Sequence, residues 1–386
     1  MNLVIHDLSE QEWSEVSSKY EGCEVVSDNG DIKPCAGCFG CWVKNPGECV
    51  IKDGYERMGA LIHKADEVVV ISRYTYGGFS SFIKNVIDRS IGWVLPYFEI
   101  YEGEMHHRKR YPEDKPFRFI FRGTDLTEKE KAAAKRYVSA VCRNFHGIVK
   151  EVAFEEIEPE KCAVVEAEKE AGAEHSDKVI ILNCSMRGDN ANTKRFTGAL
   201  AKNIKGEVES INLVPYLKKS DELRKILDSS DRIVLGMPLY VDGVPSSAVR
   251  VMEMMEKSCV KNNKKIYVVA NMGLYESKQL RNMLYMVKSW CKKCGYTYGG
   301  GLAIGAGEML GMMMESKDIH KGPTKHVADG MDRLSDAINR SSVTENIYAG
   351  PDKFPRKFYM AIANFSWKFD AKKFGNKKKD LFRQVN

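Results

Sequence analysis

Val179-Ile-Ile-Leu-Asn-Cys-Ser-Met-Arg-Gly-Asp-Asn-Ala-Asn-Thr193 is the stretch whose reading decides the fold. Val179–Leu182 is a short, unbroken apolar run, the signature of a strand buried on both faces of a parallel sheet. Lys194–Lys202, with Phe196, Leu200 and Ala201 apolar, reads as a helix. The residues between are therefore a strand-to-helix loop. It is rich in hydroxyl, amide and guanidinium groups, and Asp189 is its one carboxylate. A loop that opens a helix presents unpaired N–H groups and the positive end of the helix dipole. Ser185, Asn192 and Thr193 add neutral donors and Arg187 a charged fork, which together suit a phosphate monoester. The competing reading is an ordinary capped loop with Thr193 as the N-cap.

Working outward, the alternation of strand and helix runs through both halves of the chain. In the first half, strands are expected at Leu3–Ile5, Glu24–Val26, Glu67–Ile71, Phe117–Phe121 and Ile148–Phe154. Helices are expected at Tyr55–Lys64, Ser80–Leu95 and Glu128–Phe145, with an irregular insertion over 96–114. Residues 155–176 carry eight Glu and little apolar periodicity, and read as a solvated linker. From Lys178 the pattern restarts, with strands near 178–183, 207–212, 232–237, 265–270 and 296–304 and helices near 193–202, 220–229, 246–257 and 278–294. Thr324–Asn339 reads as a further amphipathic helix. The expected class is α/β with parallel sheets. The expected domains are 1–154, linker 155–176, 177–340 and a basic aromatic tail 341–386. Tyr74–Ser81 matches Met237–Val244 in position, which points to an internal duplication whose first copy has lost its phosphate loop: the loop His6–Trp13 is acidic instead.

Composition narrows the class. Of 386 residues, 43% are hydrophobic and 29% charged, ordinary for a globular protein, and no run approaches a membrane span. The N-terminus lacks the basic start and apolar core of a signal peptide, and eleven cysteines then point to a reducing, cytoplasmic setting. Residues 351–386 hold ten Lys/Arg against three Asp, +7, which leaves residues 1–350 at −1 of the total +6. Nothing suggests a nucleic-acid partner. The tail places Phe354, Phe358, Ile362, Phe365 and Phe369 at helical spacing. The phenylalanines are expected to pack on the second domain. Lys372, Lys373 and Lys377–Lys379 would then stay free to steer an acidic electron donor.

Cys35-x2-Cys38-x2-Cys41-x7-Cys49 is the second strong motif. Four thiolates so close suit a soft metal centre: a [4Fe–4S] cluster, tetrahedral zinc, or, with no metal, a reduced structural loop with Trp42 packed as core. Cys291 and Cys294 read as structural, and Cys23, Cys142, Cys162, Cys184 and Cys259 as isolated. His106 and His107, beside Glu102 and Glu104, read as metal ligands, phosphate contacts or solvated loop.

Two more loops complete the pattern. Gly236-Met-Pro-Leu-Tyr-Val-Asp-Gly-Val-Pro245 and Asn271-Met-Gly-Leu-Tyr-Glu276 each follow an expected strand. Three such loops at strand carboxyl ends form the place where an open α/β sheet binds its ligand. Ser185-x-Arg187-x4-Asn192-Thr193 resembles the FMN phosphate loop of the flavodoxin-like NAD(P)H-dependent FMN reductases. The second and third loops resemble that family's flavin loops, and the cysteine motif resembles that of the related iron–sulfur flavoproteins. The resemblance implies two flavodoxin-like domains of strand order 2-1-3-4-5, as a tandem. It implies FMN held by Ser185, Arg187, Asn192, Thr193, Pro238, Leu239, Tyr240, Val241, Gly243, Asn271, Gly273 and Leu274, with the Tyr240 N–H toward flavin N5. It implies a [4Fe–4S] cluster on Cys35, Cys38, Cys41 and Cys49, and NAD(P)H or ferredoxin as electron donor. The halves would form an internal pseudo-dimer, and a homo-oligomer stays open. No acid, base or nucleophile motif is seen, and hydride transfer to a flavin needs none. The alternatives are a non-enzymatic electron carrier and a zinc-stabilised scaffold.

Overall fold

The computed structural model describes residues 1–158, 178–257, 264–315 and 318–385. Two compact units emerge, Met1–Pro159 with Arg356–Asn386, and Glu160–Pro355. In the first unit the order is β1 Leu3–His6, α1 Glu10–Val16, β2 Glu24–Val26, α2 Gly40–Val43, α3 Met58–Lys64, β3 Val68–Arg73, α4 Ser81–Arg89, β4 Val94–Tyr101, β5 Glu104–Lys109, β6 Lys115–Gly123, α5 Glu128–Phe145 and β7 Gly147–Glu156. In the second it is β8 Val179–Asn183, α6 Asn192–Ala201, β9 Val208–Asn212, α7 Ser220–Asp228, β10 Arg232–Pro238, α8 Ser246–Lys257, β11 Lys265–Asn271, α9 Arg281–Cys294, β12 Thr297–Ile304, α10 Gly307–Met313, α11 Lys325–Asn339 and β13 Ile347–Ala349. The closing helix α12, Arg356–Lys372, returns to the first unit.

Each unit is a parallel sheet. The first has the order β2-β1-β3-β6-β7, the expected 2-1-3-4-5. The second has β13-β12-β11-β10-β8-β9, the same order with β13 added as a sixth strand. Every residue of β8 is buried: β10 and β9 pair along its two edges (Val179 with Arg232 and with Val208), and packing against both faces of the sheet encloses its side chains. One face of the second sheet packs Phe196, Leu200, Val327, Met331 and Leu334 from α6 and α11 over Ile181, Val234 and Val269. Gly299 is forced by Tyr267, whose ring carbon would lie 2.4 Å from an added Cβ, and Gly300 takes φ +117 where the β11–β12 register slips.

Several expectations need correction. The insertion over 96–114 is mostly regular: β4 and β5 form an antiparallel hairpin, Phe98 opposite His107, turning at Glu102 and Gly103 with φ of 49° and 84°. The helix expected to reach Leu95 ends at Arg89, passes through a 3-10 turn at Ser90–Trp93 and becomes β4, because Trp93 turns inward to donate to the Phe145 carbonyl at 2.6 Å. Strand β7 runs on to Glu156, two residues into the stretch read as linker, and 159–176 lie outside the described residues. Of the tail phenylalanines, Phe354 lies in the second unit, where its carbonyl accepts from the Tyr275 hydroxyl (2.6 Å), whereas Phe365 and Phe369 are exposed and do not pack as expected. Helix α12 sits on the first unit through Asn364, which donates to the Phe98 carbonyl (2.9 Å) and accepts from its N–H (2.6 Å). Trp367 meets Phe39 and Trp42 edge-on, while Phe358, Phe365 and Phe369 stay exposed.

The first unit also encloses three imidazoles, His6 and His106 buried and His107 part-buried. His6 stacks on Trp13 at 4.1 Å, and His107 lies against Trp42 (4.6 Å) and Phe98 (4.8 Å) with Nδ1 2.9 Å from the Leu95 carbonyl. Burial lowers His6 and His106 to about 4 and His107 to about 3. An unfolded chain binds protons at these residues near pH 6.5 and the folded chain does not. Their contribution is therefore complete above pH 6.5 and is lost as pH falls toward 4. We expect urea-unfolding free energy of the first unit to drop in that window by up to about 1.4 kcal/mol per pH unit for each histidine. A stability flat between pH 7 and 5 would contradict the buried neutral rings.

Candidate functional site

The carboxyl ends of β8, β10 and β11 bring the three loops of the second unit together. Cys184 donates its N–H to the Gly236 carbonyl (2.8 Å) and Leu239 donates to Asn271 (2.8 Å), so each loop is pinned to a neighbouring strand. Thr193 donates its hydroxyl to the Asn271 side chain at 2.6 Å, joining the first loop to the third. Ser185, Asn192, Thr193 and Asn271 are all buried. Below them, Asn183 shapes the loop by donating to the Gly188 carbonyl (3.0 Å) and accepting from Ser185 N–H (3.2 Å). Helix α6 begins at Asn192 behind Ala191, which supplies no side-chain cap. Thr193 is thus inside the first turn and is not the N-cap, and the helix presents its dipole end without a capping oxygen.

A residue that sequence reasoning missed reaches this loop from a later helix. Glu308, near the start of α10, accepts from Asn192 Nδ2 at 2.8 Å and from Arg187 Nη1 at 3.4 Å. Two of the groups singled out as phosphate donors therefore hold a carboxylate of the chain itself. That is a direct sign that the donor set favours an anion. Helix α10 comes this close because Gly311 leaves room: an added Cβ would lie 2.5 Å from the Asn192 side chain. Glu308 is about half exposed, so the anion it supplies lies at the open edge of the loop.

The second loop is a tight hairpin turn. Tyr240 and Gly243 exchange hydrogen bonds, Tyr240 N–H to Gly243 at 3.3 Å and Gly243 N–H to Tyr240 at 3.1 Å. Val241 and Asp242 between them hold φ of 35° and 60°, the left-handed pair a type I′ turn demands. The Tyr240 N–H is consequently engaged within the turn, not available to a ligand as expected. The Val241 N–H has no partner among the described residues. Val241 and Gly243 are buried, whereas Pro238, Leu239 and Tyr240 are part-exposed. In the third loop Leu274 is buried and its carbonyl accepts from Ala306 N–H (2.7 Å), while Gly273 faces Glu308 closely enough that an added Cβ would meet its Cγ at 3.8 Å. The first unit repeats the turn: Thr75 and Gly78 pair across Tyr76 and Gly77, with φ of 55° and 101°. The match therefore runs Thr75 to Tyr240 and Ser81 to Ser246, two residues off the register read from sequence.

In place of a phosphate loop the first unit satisfies itself. The part-buried Asp7 carboxylate accepts from Arg73 N–H at 3.0 and 3.1 Å, and Ser9 caps α1 with Glu12 in a reciprocal box. Burial raises the Asp7 carboxyl, against the hydrogen bonds from Ser80 and Arg73.

The cysteine loop is held by α4. Asn85 accepts from Cys35 N–H (3.2 Å) and donates to the Lys33 carbonyl (3.2 Å). Arg89, with no side-chain exposure, donates to Asp53 (2.5 Å), Lys33 and Ile51. Gly40 N–H donates to Cys38 Sγ at 3.4 Å. Cys41 and Cys49 are buried, Cys35 is intermediate and Cys38 is exposed. Burial pushes the Cys35 thiol up to about 12, helped by the Asp88 carboxylate, and raises Cys41, on which Cys35, Cys49 and Cys38 also act. The four thiols thus share one electrostatic neighbourhood. Among the described residues, however, no three His, Cys, Asp or Glu side chains converge as a metal site does. Arg110 adds an unusual feature near Cys41. It is buried and donates only to carbonyls, those of Gly92, Leu381 and Arg383 at 2.7 Å and Val94 at 3.4 Å, with no carboxylate partner among the described residues. Burial brings it down to about 10. A buried cation without a counter-ion is costly, and an anionic group on the neighbouring thiols would supply one.

The remaining candidates are packing residues. His106 is buried in the hairpin, 3.8 Å from Glu104, so neither histidine is solvated loop. Cys291 and Cys294 are buried on α9, and burial raises Cys291. Cys142 and Cys184 are buried, Cys23 is intermediate, and Cys162 and Cys259 lie outside the described residues.

No family model and no curated protein matches the chain. Among solved structures, an FMN-dependent NADH-azoreductase from Bacillus anthracis in complex with FMN is similar at 12% identity over 42% of this chain and 99% of that one, TM-score 0.31. General stress protein 14 from Treponema denticola in complex with FMN is similar at 13% identity over 42% and 98%, TM-score 0.32. A flavone reductase is similar at 11% identity over 44% of this chain and 66% of that one, TM-score 0.31.

The thiol environments differ enough to test directly. In metal-free protein, iodoacetamide should label Cys38 at least about tenfold faster than Cys41, because a buried thiol rarely ionises. Peptide mapping by mass spectrometry reads the order, and equal rates at the two positions would refute the burial.

Proposed function

We propose that the chain is an FMN-dependent oxidoreductase that draws electrons from NAD(P)H or a ferredoxin-like donor. The observation that carries this reading is the engagement of Glu308 by Arg187 and Asn192, an anion already seated in the loop proposed for the flavin phosphate. Ser185, Arg187, Asn192 and Thr193 would hold the phosphate. Tyr240 and the rigid turn behind it would border the ring on one side, and Asn271, Gly273 and Leu274 on the other. When bound, the flavin supplies acceptance of a hydride or of two single electrons. The chain's own residues bind and orient: Thr193 fixes Asn271, the paired Tyr240–Gly243 turn fixes the Val241 N–H, and the buried apolar side chains of Val241 and Leu274 keep water from the loop floor. We further propose that the two units are copies of one ancestor, supported by their common strand order and common turn.

The four cysteines we read as the ligand set of a [4Fe–4S] cluster, a one-electron centre. Support comes from the donor set, from the Gly40 N–H donated to Cys38 Sγ, and from the unpaired Arg110 beside Cys41. Zinc on the same thiols is the other reading, and an anaerobic absorbance spectrum with iron and sulfide analysis separates them.

Arg187→Ala with Asn192→Ala should weaken FMN roughly a hundredfold, as loss of a charge-assisted and a neutral hydrogen bond implies. Glu308→Gln should act oppositely, tightening FMN about threefold to tenfold by removing a half-exposed competitor. Fluorescence titration of apoprotein measures both, and unchanged affinity in the double variant would move the phosphate site elsewhere. Cys38→Ser with Cys41→Ser should abolish bound iron and leave FMN binding intact; iron retained in that variant would dismiss the ligand set.

A further inference from the structure

The last residues of the first unit are fastened almost entirely by side chains. Over 376–385 only Leu381 and Val385 are buried. The backbone–backbone hydrogen bonds of the stretch are local: its own 3-10 turn at Lys378–Phe382, Asn376 to Ala371, Asp380 to Lys377 and Arg383 to Asp380. Among the described residues none ties it to a strand, or to a helix other than α12. Arg110 donates Nη1 to the Leu381 and Arg383 carbonyls, both at 2.7 Å. The Tyr111 hydroxyl accepts from Val385 N–H (3.2 Å) and donates to the Val385 carbonyl (3.1 Å). Asn376 donates to the Val43 and Lys44 carbonyls, and Gln384 to that of Arg110. Leu381 enters a small core with Leu95, Tyr97 and Ala371, and Phe382 stacks on Tyr97 at 5.1 Å. Every one of these partners belongs to the first unit.

The stretch lies over the backbone that joins two of the buried thiols. A Cβ added to Gly47 would lie 2.6 Å from Val385 Cγ2, and one added to Gly92 would lie 2.8 Å from the Gly47 carbonyl, so Gly47 is closed in from two sides. Gly47 donates its N–H to the Cys41 carbonyl at 2.9 Å and precedes Cys49 by two residues. Arg383 reaches to 3.8 Å from Glu48 between them. Arg110 ties both layers together, since its Nε holds the Gly92 carbonyl (2.7 Å) while Nη1 holds the terminal stretch. Two of its four carbonyl acceptors would depart with that stretch.

We propose that residues 376–385 are a detachable strap, latched by Arg110, whose release opens the Gly47–Cys49 side of the cysteine loop and admits small reagents or a metal ion to Cys41 and Cys49 without unfolding the first unit. Lifting the strap breaks side-chain contacts and two apolar pegs, whereas a segment paired into the sheet could leave only by breaking the sheet; its opening is therefore of the local kind that precedes global unfolding. Arg110 keeps it shut at rest, because a buried guanidinium that loses charge-assisted bonds is costly. Opening itself needs no metal. Only the passage of iron rests on reading the four cysteines as a ligand set.

Hydrogen exchange and thiol labelling of the metal-free full chain test this. In the parent, the amides of 376–385 should exchange through openings that leave the amides of β3 protected. Leu381→Ser with Val385→Ser, and separately Arg110→Met, should speed iodoacetamide labelling of Cys49 at least about fivefold, as a larger open population implies. Cys142, buried on α5 of the same unit, reports general loosening and should keep its parent rate. The proposal is overturned if the strap amides exchange only together with those of β3, if neither variant speeds Cys49, or if Cys142 speeds in step with Cys49. Selective opening at Cys49 in a chain that takes up no iron from ferrous ion and sulfide would uphold the strap and dismiss the ligand set.

Discussion

A strand enclosed on both faces has no room for polar chemistry along its length. That constraint governs the inner strands β1 and β8, one in each unit. Every residue of β8 is enclosed, as is every residue of β1. Hydrogen-bonding groups are therefore driven to the strand ends, where the backbone must turn and helices begin. In the second unit this concentrates Ser185, Asn192, Thr193 and Asn271 near the ends of β8 and β11. The same pressure in the first unit produced Asp7 accepting from Arg73 N–H and Ser9 exchanging hydrogen bonds with Glu12, carboxylates answered within the loop and the neighbouring strand.

The two units thus differ less in architecture than in how their strand-end charges are settled. In the second, cationic and amide donors outnumber the local acceptors, and Glu308 is borrowed from a helix more than a hundred residues later in the chain to balance them. In the first, the unsettled charge is Arg110, held by carbonyls alone beside the cysteine loop. Both places mark where a negatively charged group would lower the electrostatic cost of the fold. Helix α4 serves the second of these: its Asn85, Asp88 and Arg89, all buried, form a polar face turned toward the loop that carries the thiols.

What could be read from sequence followed local signals. Val179–Leu182 announced β8 because four apolar residues in a row before a polar loop have few other homes, and the donor types of Ser185–Thr193 gave the loop's character. Strand β6 showed itself through Phe117, Phe119 and Phe121. The hairpin β4–β5 did not, since Pro96 and His106, His107 and Arg108 break any alternation; its one legible trace was Glu102-Gly103, a left-handed pair at the turn. Strand β13 is three residues long, too short for periodicity to register. Glu308, Arg89 and Arg110 were invisible for a different reason: each matters through tertiary contact, and nothing in their immediate neighbours distinguishes them from surface charge. The tail's aromatic spacing was seen, but spacing alone does not say which of two faces packs. Asn364 and Trp367 decided that.

Because α12 and the residues after it belong to the first unit, that unit is discontinuous, and the entire second unit is synthesised between its two pieces. Asn376 donates to the Val43 and Lys44 carbonyls, Trp367 closes over Phe39 and Trp42, and Tyr111 donates to the Val385 carbonyl. The loop bearing the four cysteines is thus sealed from behind by segments that leave the ribosome some three hundred residues after it. During translation the second unit can complete its sheet while the first waits with that loop uncovered. Any assembly machinery that must reach the buried Cys41 and Cys49 has a window set by elongation, which narrows once the final helix arrives, while Cys38 stays exposed.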